Sequence, residues 1–166
     1  MATSYSMYKN EVKEYLENKF KKESTILDVG AGEGTYYDLL GDYFSNIESV
    51  EVFKPNIENY GLEKKYKKVY NVDIKDFKYD FYDIIIFGDV IEHLEVKEAQ
   101  EVLKYALNRC KEMVVAVPYC YKQGECYGNK YEIHKQDDLT PKNMLERYPM
   151  LKLLYGNDIY GYYVKK

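Results

Sequence analysis

Residues 25–35 read TILDVGAGEGT, and this segment gives the strongest indication of the fold. An apolar run ends in Asp28 and passes into three glycines at alternate positions, Gly30, Gly32 and Gly34. Glycines let the backbone turn sharply from a strand into a helix, and they let a ligand approach the main chain closely. The spacing differs from the dinucleotide fingerprint G-x-G-x-x-G, because Gly34 follows Gly32 by two residues rather than three. The stretch therefore predicts a strand, a ligand-binding turn and a helix.

Strand-like and helix-like segments alternate along the rest of the chain. This alternation predicts a parallel sheet with helices on its faces. We expect helices at 4–20 (with Ser4 as the cap), at 35–44, in a short segment opened by Pro55, at 96–107, and from Thr140-Pro141 to 148. We expect strands at 25–29, 47–52, 68–72, 82–87, 113–117, 151–155 and 159–164. A short turn separates the last two strands, so they should form an antiparallel hairpin.

The glycine turn resembles motif I of the class I S-adenosylmethionine (SAM) methyltransferases. Five strands of parallel type followed by a hairpin are also similar to the seven-stranded sheet of that family. The resemblance covers essentially the whole chain and implies an α/β fold, a Rossmann-like three-layer αβα sandwich with a mostly parallel sheet. We therefore expect a single domain over 1–166, with an N-terminal helix in 1–22 and an acceptor-side loop at 119–138.

The composition argues against several other classes of protein. No apolar run reaches the ~18 residues that cross a bilayer, and the N-terminus lacks the layout of a signal peptide. Three cysteines form no disulfide framework and suit a reducing compartment, so we expect a cytoplasmic protein. The net charge of -4 argues against nucleic acid as the main partner. No motif indicates an oligomeric state.

The resemblance implies that cofactor contacts lie at the ends of the first two strands. Asp28 would hold the methionine part of SAM, since a carboxylate accepts from an ammonium group. Gly30, Gly32 and Gly34 would pack against the ligand. Glu51 ends the second strand and can accept from both ribose hydroxyls, as in dinucleotide-binding folds. The alternatives are a turn-forming aspartate and an exposed strand-end acid.

The third strand is followed by a further acidic residue, Asp73. The family often places an acid here to accept from the adenine amino group. Phe53 and Ile74 are the expected apolar flanks of the adenine. The alternative for Asp73 is a loop acid without a ligand.

Residues 87–94 read FGDVIEHL and follow the fourth predicted strand. They resemble the motif IV region of small-molecule methyltransferases, which lies beside the SAM methyl group. Asp89 and Glu92 are expected to position cofactor and loop rather than to act as bases, with Asp89 counted among the cofactor-binding residues. His93 has an ordinary pKa near ~6.5 and could relay a proton, or it could only order the loop.

The second histidine, His134, lies in the segment after the fifth strand. Many small-molecule methyltransferases place a histidine here over the acceptor pocket. His134 is therefore the candidate general base or acceptor-orienting residue, and the alternative is a structural loop histidine. The same pocket is expected to be lined by Tyr119, Tyr121, Tyr127 and Tyr131.

A metal site is not expected from the sequence. Cys120, Cys126 and His134 could form a corner of one, but zinc sites usually close with four ligands at tighter spacing. The chain also lacks an Asn-Pro-Pro-Tyr motif at the fourth strand, which weighs against methylation of exocyclic amines in DNA bases.

These patterns predict a SAM-dependent methyltransferase that produces S-adenosylhomocysteine (SAH). The acceptor would be an oxygen or nitrogen nucleophile of a small or glycan-like molecule. Displacement from a sulfonium is in-line, so the protein must mainly hold near-attack geometry and exclude water. Two alternatives stay open: a non-catalytic protein of the same fold that binds a cofactor or partner, and another transferase of that fold.

Overall fold

A computed structural model describes residues 5–166. The helices are α1 (Lys9–Lys19), α2 (Thr35–Leu40), α3 (Lys54–Asn59), α4 (Leu62–Lys65), α5 (Val96–Leu107) and α6 (Pro141–Arg147). The strands are β1 (Thr25–Val29), β2 (Asn46–Val50), β3 (Lys68–Tyr70), β4 (Tyr82–Gly88), β5 (Cys110–Pro118), β6 (Leu151–Gly156) and β7 (Tyr160–Lys165). Single turns of 3-10 helix cover Ile91–His93 and Lys130–Glu132.

All seven strands form one sheet in the order β3-β2-β1-β4-β5-β7-β6. The five strands from β3 to β5 pair in parallel, whereas β7 pairs antiparallel with both β5 and β6. The predicted Rossmann-like α/β fold with a C-terminal antiparallel hairpin is confirmed. The strand order reverses direction at β1 and β4, and ligands bind at such a switch point in open α/β sheets.

The middle of the sheet is buried on both faces. Ile84 and Ile86 of β4 contribute to one core cluster, whereas Ile85 and Phe87 contribute to the other. All four are fully buried. Burial of each such side chain contributes about 1.5–3 kcal/mol to stability. The strand β4 is therefore well fixed, and so is the start of the segment that follows it.

The helix predictions are confirmed most closely where capping is strong. α5 has the predicted bounds, and the Glu95 and Glu98 side chains form a capping box at its start. The Thr140 hydroxyl accepts from the Asn143 amide at 3.1 Å and caps α6 as predicted. α2 ends at Leu40 rather than at 44, because Gly41 follows and glycine is unfavourable inside a helix.

Other boundaries differ from the predicted ones. α1 begins at Lys9, after Tyr8 in a left-handed conformation (φ 59°), and the predicted Ser4 cap lies outside the described residues. β2 ends at Val50, where the carbonyl accepts from the backbone amides of the glycine turn. β5 is longer than predicted, because β4 and β7 pair with it on its two sides. The α4 helix was not predicted.

In residues 5–166, none of the helices combines the length and apolar character needed to cross a membrane.

Candidate active site

The glycine turn after β1 is held tightly against its neighbours. The Gly30 and Ala31 amides donate to the Val50 carbonyl at 2.8 and 3.3 Å. Gly30 has φ +70°, and a Cβ added there would lie 2.6 Å from Cγ2 of Val90. This position therefore requires glycine for both its conformation and its contact.

Glu51 connects the glycine turn to the segment after β2. Its carboxylate accepts from the Gly32 amide at 2.7 Å and from the Phe53 amide at 2.8 Å. Burial raises the pKa of Glu51, and these amide hydrogen bonds oppose the rise. A carboxylate offers about four lone-pair sites, so acceptor capacity remains for a ligand. Sequence reasoning placed Glu51 in the site without foreseeing that it also fixes the turn.

A cleft of about 370 Å³ opens at the carboxyl ends of β1, β2 and β3. We call it the cofactor cleft. Its walls combine aliphatic side chains with a few charged ones, among them Gly30, Gly32, Val52, Glu51, Asp73, Ile74, Lys75, Asp89, Val90, Leu94, Tyr131 and Glu132. The volume falls within the ~300–1,000 Å³ usual for small-molecule sites.

Asp73 lies in the wall of the cofactor cleft, but its side chain already has partners. One carboxylate oxygen accepts from the Lys75 amide at 2.9 Å, and the other lies 3.7 Å from the Lys75 ammonium. Ile74 lines the same cleft, whereas Phe53 lines a neighbouring cavity next to Tyr60. The structure therefore does not bring the two predicted adenine flanks to one cavity.

Asp28 lies beneath the glycine turn and is not among the residues that line these cavities. It is 1% exposed, and one of its oxygens accepts from the Tyr66 hydroxyl at 2.5 Å. Burial raises the pKa of Asp28 to about 7, opposed by the Tyr66 hydrogen bond and supported by the charge of Glu51. Its other oxygen has no hydrogen-bond partner among the described residues. A direct contact with a ligand stays a prediction.

A smaller cavity of about 100 Å³ adjoins the cofactor cleft, and we call it the acceptor cavity. The two share Gly30, Gly32, Asp89, His93 and Glu132 in their walls. The acceptor cavity is completed by other residues: Tyr5, Tyr36, Gly88, Glu92, Tyr121, Gln123 and His134.

The two histidines meet in the wall of the acceptor cavity. Their ring centroids lie 4.7 Å apart with the planes at 73°. Burial and then the charge of His134 lower the pKa of His93 to about 4, and burial lowers the pKa of His134. Both imidazoles are therefore neutral at pH 7. The sequence predicted a role for each but not that they touch.

Each imidazole is oriented by a backbone carbonyl. His134 Nδ1 lies 2.7 Å from the Tyr121 carbonyl oxygen, and His93 Nδ1 lies 3.4 Å from that of Ile133. A carbonyl oxygen only accepts, so the hydrogen of the neutral His134 ring belongs on Nδ1 and its lone pair on Nε2.

Two acidic residues lie next to the histidines. Asp89 has φ +55°, and its carboxylate accepts from the Tyr160 hydroxyl at 2.8 Å. Glu92 is fully buried, and neither of its carboxylate oxygens has a hydrogen-bond partner within the described part of the chain. Burial, followed by the charge of Asp89, raises the pKa of Glu92 well above its ordinary value.

Residues 119–138, the acceptor loop, are more ordered than the sequence suggested. The amides of Lys135 and Gln136 donate to the Glu92 carbonyl at 2.8 and 3.1 Å. The Gln136 side chain donates to the carbonyls of Ile91 and Leu94. These bonds tie the loop to the segment that follows β4.

The four tyrosines of the acceptor loop do not share one pocket as expected. Tyr121 lines the acceptor cavity, Tyr131 the cofactor cleft and Tyr127 the cavity beside Phe53. Tyr119 is buried and hydrogen-bonded to Tyr163. They diverge because the loop turns at Tyr127 and Gly128, both at positive φ.

Glu132 is a site residue that sequence reasoning missed. It lines both the cofactor cleft and the acceptor cavity, and its carboxylate accepts from Gln123 and Asn129. Burial raises its pKa, and Glu51 is the next cause. No motif marks Glu132, and its position two residues before His134 was the one available signal.

The comparisons with known proteins agree with this architecture. A family model described as a methyltransferase domain matches residues 5–118. No curated protein matches the chain at a significant level of sequence similarity.

Several solved structures share the fold. A SAM-dependent methyltransferase from Clostridium acetobutylicum has 12% identity and a TM-score of 0.72, covering 99% of this chain and 92% of its own. A plantazolicin methyltransferase in complex with SAH has 13% identity and a TM-score of 0.69, with 95% and 82% covered. A Burkholderia thailandensis 1,6-didemethyltoxoflavin-N1-methyltransferase has 11% identity and a TM-score of 0.68, with 96% and 77% covered; it was solved with its substrate and SAH.

Proposed function

The chain belongs to the methyltransferase-domain family, and we propose that it transfers a methyl group from SAM to an oxygen or nitrogen nucleophile of a small-molecule or glycan-like acceptor. The observation that carries this proposal is the junction of the cofactor cleft and the acceptor cavity at Gly30, Gly32 and Asp89. A cofactor bound in the cofactor cleft could therefore present its methyl group directly to a molecule bound in the acceptor cavity. Relatives of the same fold were solved with SAH, which supports the choice of cofactor.

The charge and shape of the cofactor cleft fit SAM. The sulfonium and ammonium groups of SAM are cationic, and the carboxylates of Asp89 and Glu132 line the part of the cleft that adjoins the acceptor cavity. Glu51 has the remaining acceptor capacity to hold the ribose hydroxyls. Asp73 would accept from the adenine amino group while Ile74 packs against the ring. Gly30 lines the cleft without a side chain, so its backbone is open to a ligand there.

Asp28 and Asp89 would act at the methionine end. Asp89 lines both cavities and is oriented by Tyr160. Asp28 keeps one carboxylate oxygen without a hydrogen-bond partner in the described part of the chain. We propose that it supports the turn from below and, when ionised, attracts the ammonium group.

SAM supplies a methyl group on a sulfonium, which is already a good leaving group. The residues of the chain must hold the acceptor in line and keep water out. The acceptor loop does this in our proposal, because its bonds to the Glu92 carbonyl fix it over the cavity.

His134 is the proposed base for an acceptor that starts protonated. Its Nδ1 is occupied by the Tyr121 carbonyl, so the lone pair on Nε2 can take the proton of a hydroxyl or ammonium group. His93 packs against it and would hold its orientation or relay the proton.

We place this activity in one domain over 1–166 and in the cytoplasm. The three cysteines are free thiols, which fits a reducing compartment.

Calorimetric titration of the purified chain with SAM and SAH, with NAD as a control, tests the cofactor assignment. We expect micromolar binding of both sulfur ligands and none of NAD. Failure to bind either ligand would contradict the proposal. Binding without turnover across an acceptor panel would favour the non-catalytic alternative.

A further inference from the structure

Glu92, His93 and His134 bring three metal-ligating side chains to one point of the acceptor cavity. One ligand atom from each lies within 4.8 Å of the other two. Glu92 and His93 come from the 3-10 turn after β4, whereas His134 comes from the acceptor loop. The two segments are joined by the amides of Lys135 and Gln136 on the Glu92 carbonyl. Backbone hydrogen bonds between the two segments therefore keep the three side chains near one another.

Both histidines have the orientation of metal ligands. In metal sites, a ligating histidine usually donates its second ring N–H to a carbonyl or carboxylate, which fixes the tautomer. Here the Nδ1 atoms of His93 and His134 face the carbonyls of Ile133 and Tyr121. The Nε2 lone pair of His134 is therefore available to a ligand, and His93 Nε2 lies 4.0 Å from the Glu92 carboxylate.

Glu92 supplies the second, independent observation. Its side chain is 1% exposed, and both carboxylate oxygens lack a hydrogen-bond partner in residues 5–166. A buried carboxylate without a partner is costly, and buried charges in proteins are usually paired or coordinate a metal. A cation at this point would compensate that cost.

We propose that Glu92, His93 and His134 bind one divalent transition-metal ion through a Glu92 oxygen and the two Nε2 atoms. Two nitrogens with one carboxylate is the donor set of non-haem iron sites and of several catalytic zinc sites. The lack of a thiolate and the presence of two imidazoles favour Zn²⁺, Fe²⁺ or Mn²⁺ over Mg²⁺ and Ca²⁺. Cys120 and Cys126, weighed as ligands from the sequence, are not part of this cluster.

The geometry needs a small adjustment on binding. Ligands ~2.1 Å from one ion lie about 3–3.5 Å from each other, so a pair of ligand atoms 4.8 Å apart must close by about 1.3–1.8 Å. Rotation of the carboxylate and of the half-exposed His134 ring can supply that movement.

A three-ligand site leaves open coordination positions, and all three proposed ligands line the acceptor cavity. Resting on the proposed methyl transfer, we assign them to an oxygen of the acceptor, whose hydroxyl proton the metal would make easier to release to solvent water. A metal-bound His134 cannot also be the base. The two roles of His134 exclude each other, and metal binding decides between them.

Titration of the chelator-treated full chain with Co²⁺, followed by visible absorption, tests the site. We expect saturation at one Co²⁺ per chain, without the near-ultraviolet charge-transfer band that thiolate ligands give. His134→Ala and His93→Ala should each weaken binding by at least ~100-fold, beyond the ~10–100-fold loss typical of second-shell changes. The Cys120→Ser/Cys126→Ser double variant should bind as the parent does.

Absence of saturable binding, unchanged affinity in His134→Ala, or loss of binding in the cysteine variant would each overturn the metal site. His134 lies on a half-exposed loop, so its variant tests the site even if a change at buried Glu92 prevents folding. The titration contains no SAM, and the SAM calorimetry contains no metal. SAM binding without Co²⁺ binding would remove the metal site alone, and the reverse would remove the cofactor assignment alone.

Discussion

The cofactor cleft and the acceptor cavity share a wall at the glycine turn but are built differently. The cleft lies at the ends of β1, β2 and β3, with amide hydrogen bonds from Gly30, Ala31 and Gly32 to β2 and Glu51, and the acceptor loop adds Tyr131 and Glu132 to its wall. The acceptor cavity is closed by a loop that follows the fifth strand and is attached through Glu92 and Gln136. Changes in the cleft should therefore alter stability and cofactor binding together. Changes at loop residues that line the acceptor cavity and not the cleft, such as His134, should alter turnover and leave folding intact.

The largest expected effect is a loss of turnover from a change in the acceptor cavity, with the cofactor cleft unaffected. His134→Ala should lower turnover by ~10²–10⁴-fold, because it removes the proposed base or metal ligand. SAM affinity and the urea midpoint should be unchanged, since the His134 ring lines the acceptor cavity and not the cofactor cleft. SAH release with an acceptor found by screening measures this. Full activity in the variant would move the role to His93 or to positioning alone.

A pH series tests whether ionisation of buried Asp28, beneath the glycine turn, lowers the free energy of unfolding. The pKa of folded Asp28 is raised to about 7 from an ordinary value of 3.8, so the folded state keeps the proton longer. The contribution of Asp28 to the free energy of unfolding is thus fully present below pH 4. It falls as pH rises toward and through 7, by about 3–4 kcal/mol as an upper bound.

Asp28→Asn should lack this fall, because an amide does not titrate. Urea unfolding of both proteins between pH 4 and 8 would show it. Parallel profiles for the two proteins would contradict the raised pKa of Asp28.

Alanine substitutions at Gly30 and Gly61 separate the cost of a left-handed backbone conformation from the cost of a close side-chain contact. Gly30 and Gly61 both have positive φ, +70° and +61°, but a Cβ at Gly61 would have nothing within 4 Å. Gly61→Ala should cost about 1–2 kcal/mol from conformation alone. Gly30→Ala should cost more, about 2–4 kcal/mol, since its Cβ also meets Val90. Equal losses in urea denaturation would mean that Val90 moves aside.

The smallest expected effect concerns cofactor affinity. Glu51→Ala should weaken SAM binding by ~1–3 kcal/mol, because it leaves the Gly32 and Phe53 amides and the ligand without their acceptor. Calorimetry measures this, with exposed Glu63→Ala as the control of equal charge change. Unchanged affinity in Glu51→Ala would remove Glu51 from the cofactor site.

The difference between the cofactor cleft and the acceptor cavity also explains which features could be predicted from the sequence. Strand and helix patterns are local, so β4, α5 and the terminal hairpin were predicted close to their observed bounds. The glycine turn and Glu51 follow from the ends of such elements. Boundaries failed where tertiary contacts decide, as at β5, which is extended by pairing on both sides.

The acceptor cavity was less predictable, because its contacts join distant segments. His93 and His134 are 41 positions apart, and no periodicity indicates that their rings meet. The burial of Glu92 without a partner and the position of Glu132 are likewise visible only in three dimensions. The Asp28–Tyr66 hydrogen bond joins β1 to the segment after α4, a helix that the sequence did not suggest.

An NMR measurement on the chain bound to SAM labelled with ¹³C at the methyl group tests whether the cofactor's methyl group lies beside the two histidines. The chain contains two histidines, so their ring signals can be assigned from His93→Ala and His134→Ala spectra. We predict nuclear Overhauser contacts from the labelled methyl to the ring protons of these histidines, because the two cavities join beside them. Contacts only to cleft residues such as Ile74, with none to either ring, would contradict the proposed path from cofactor to acceptor.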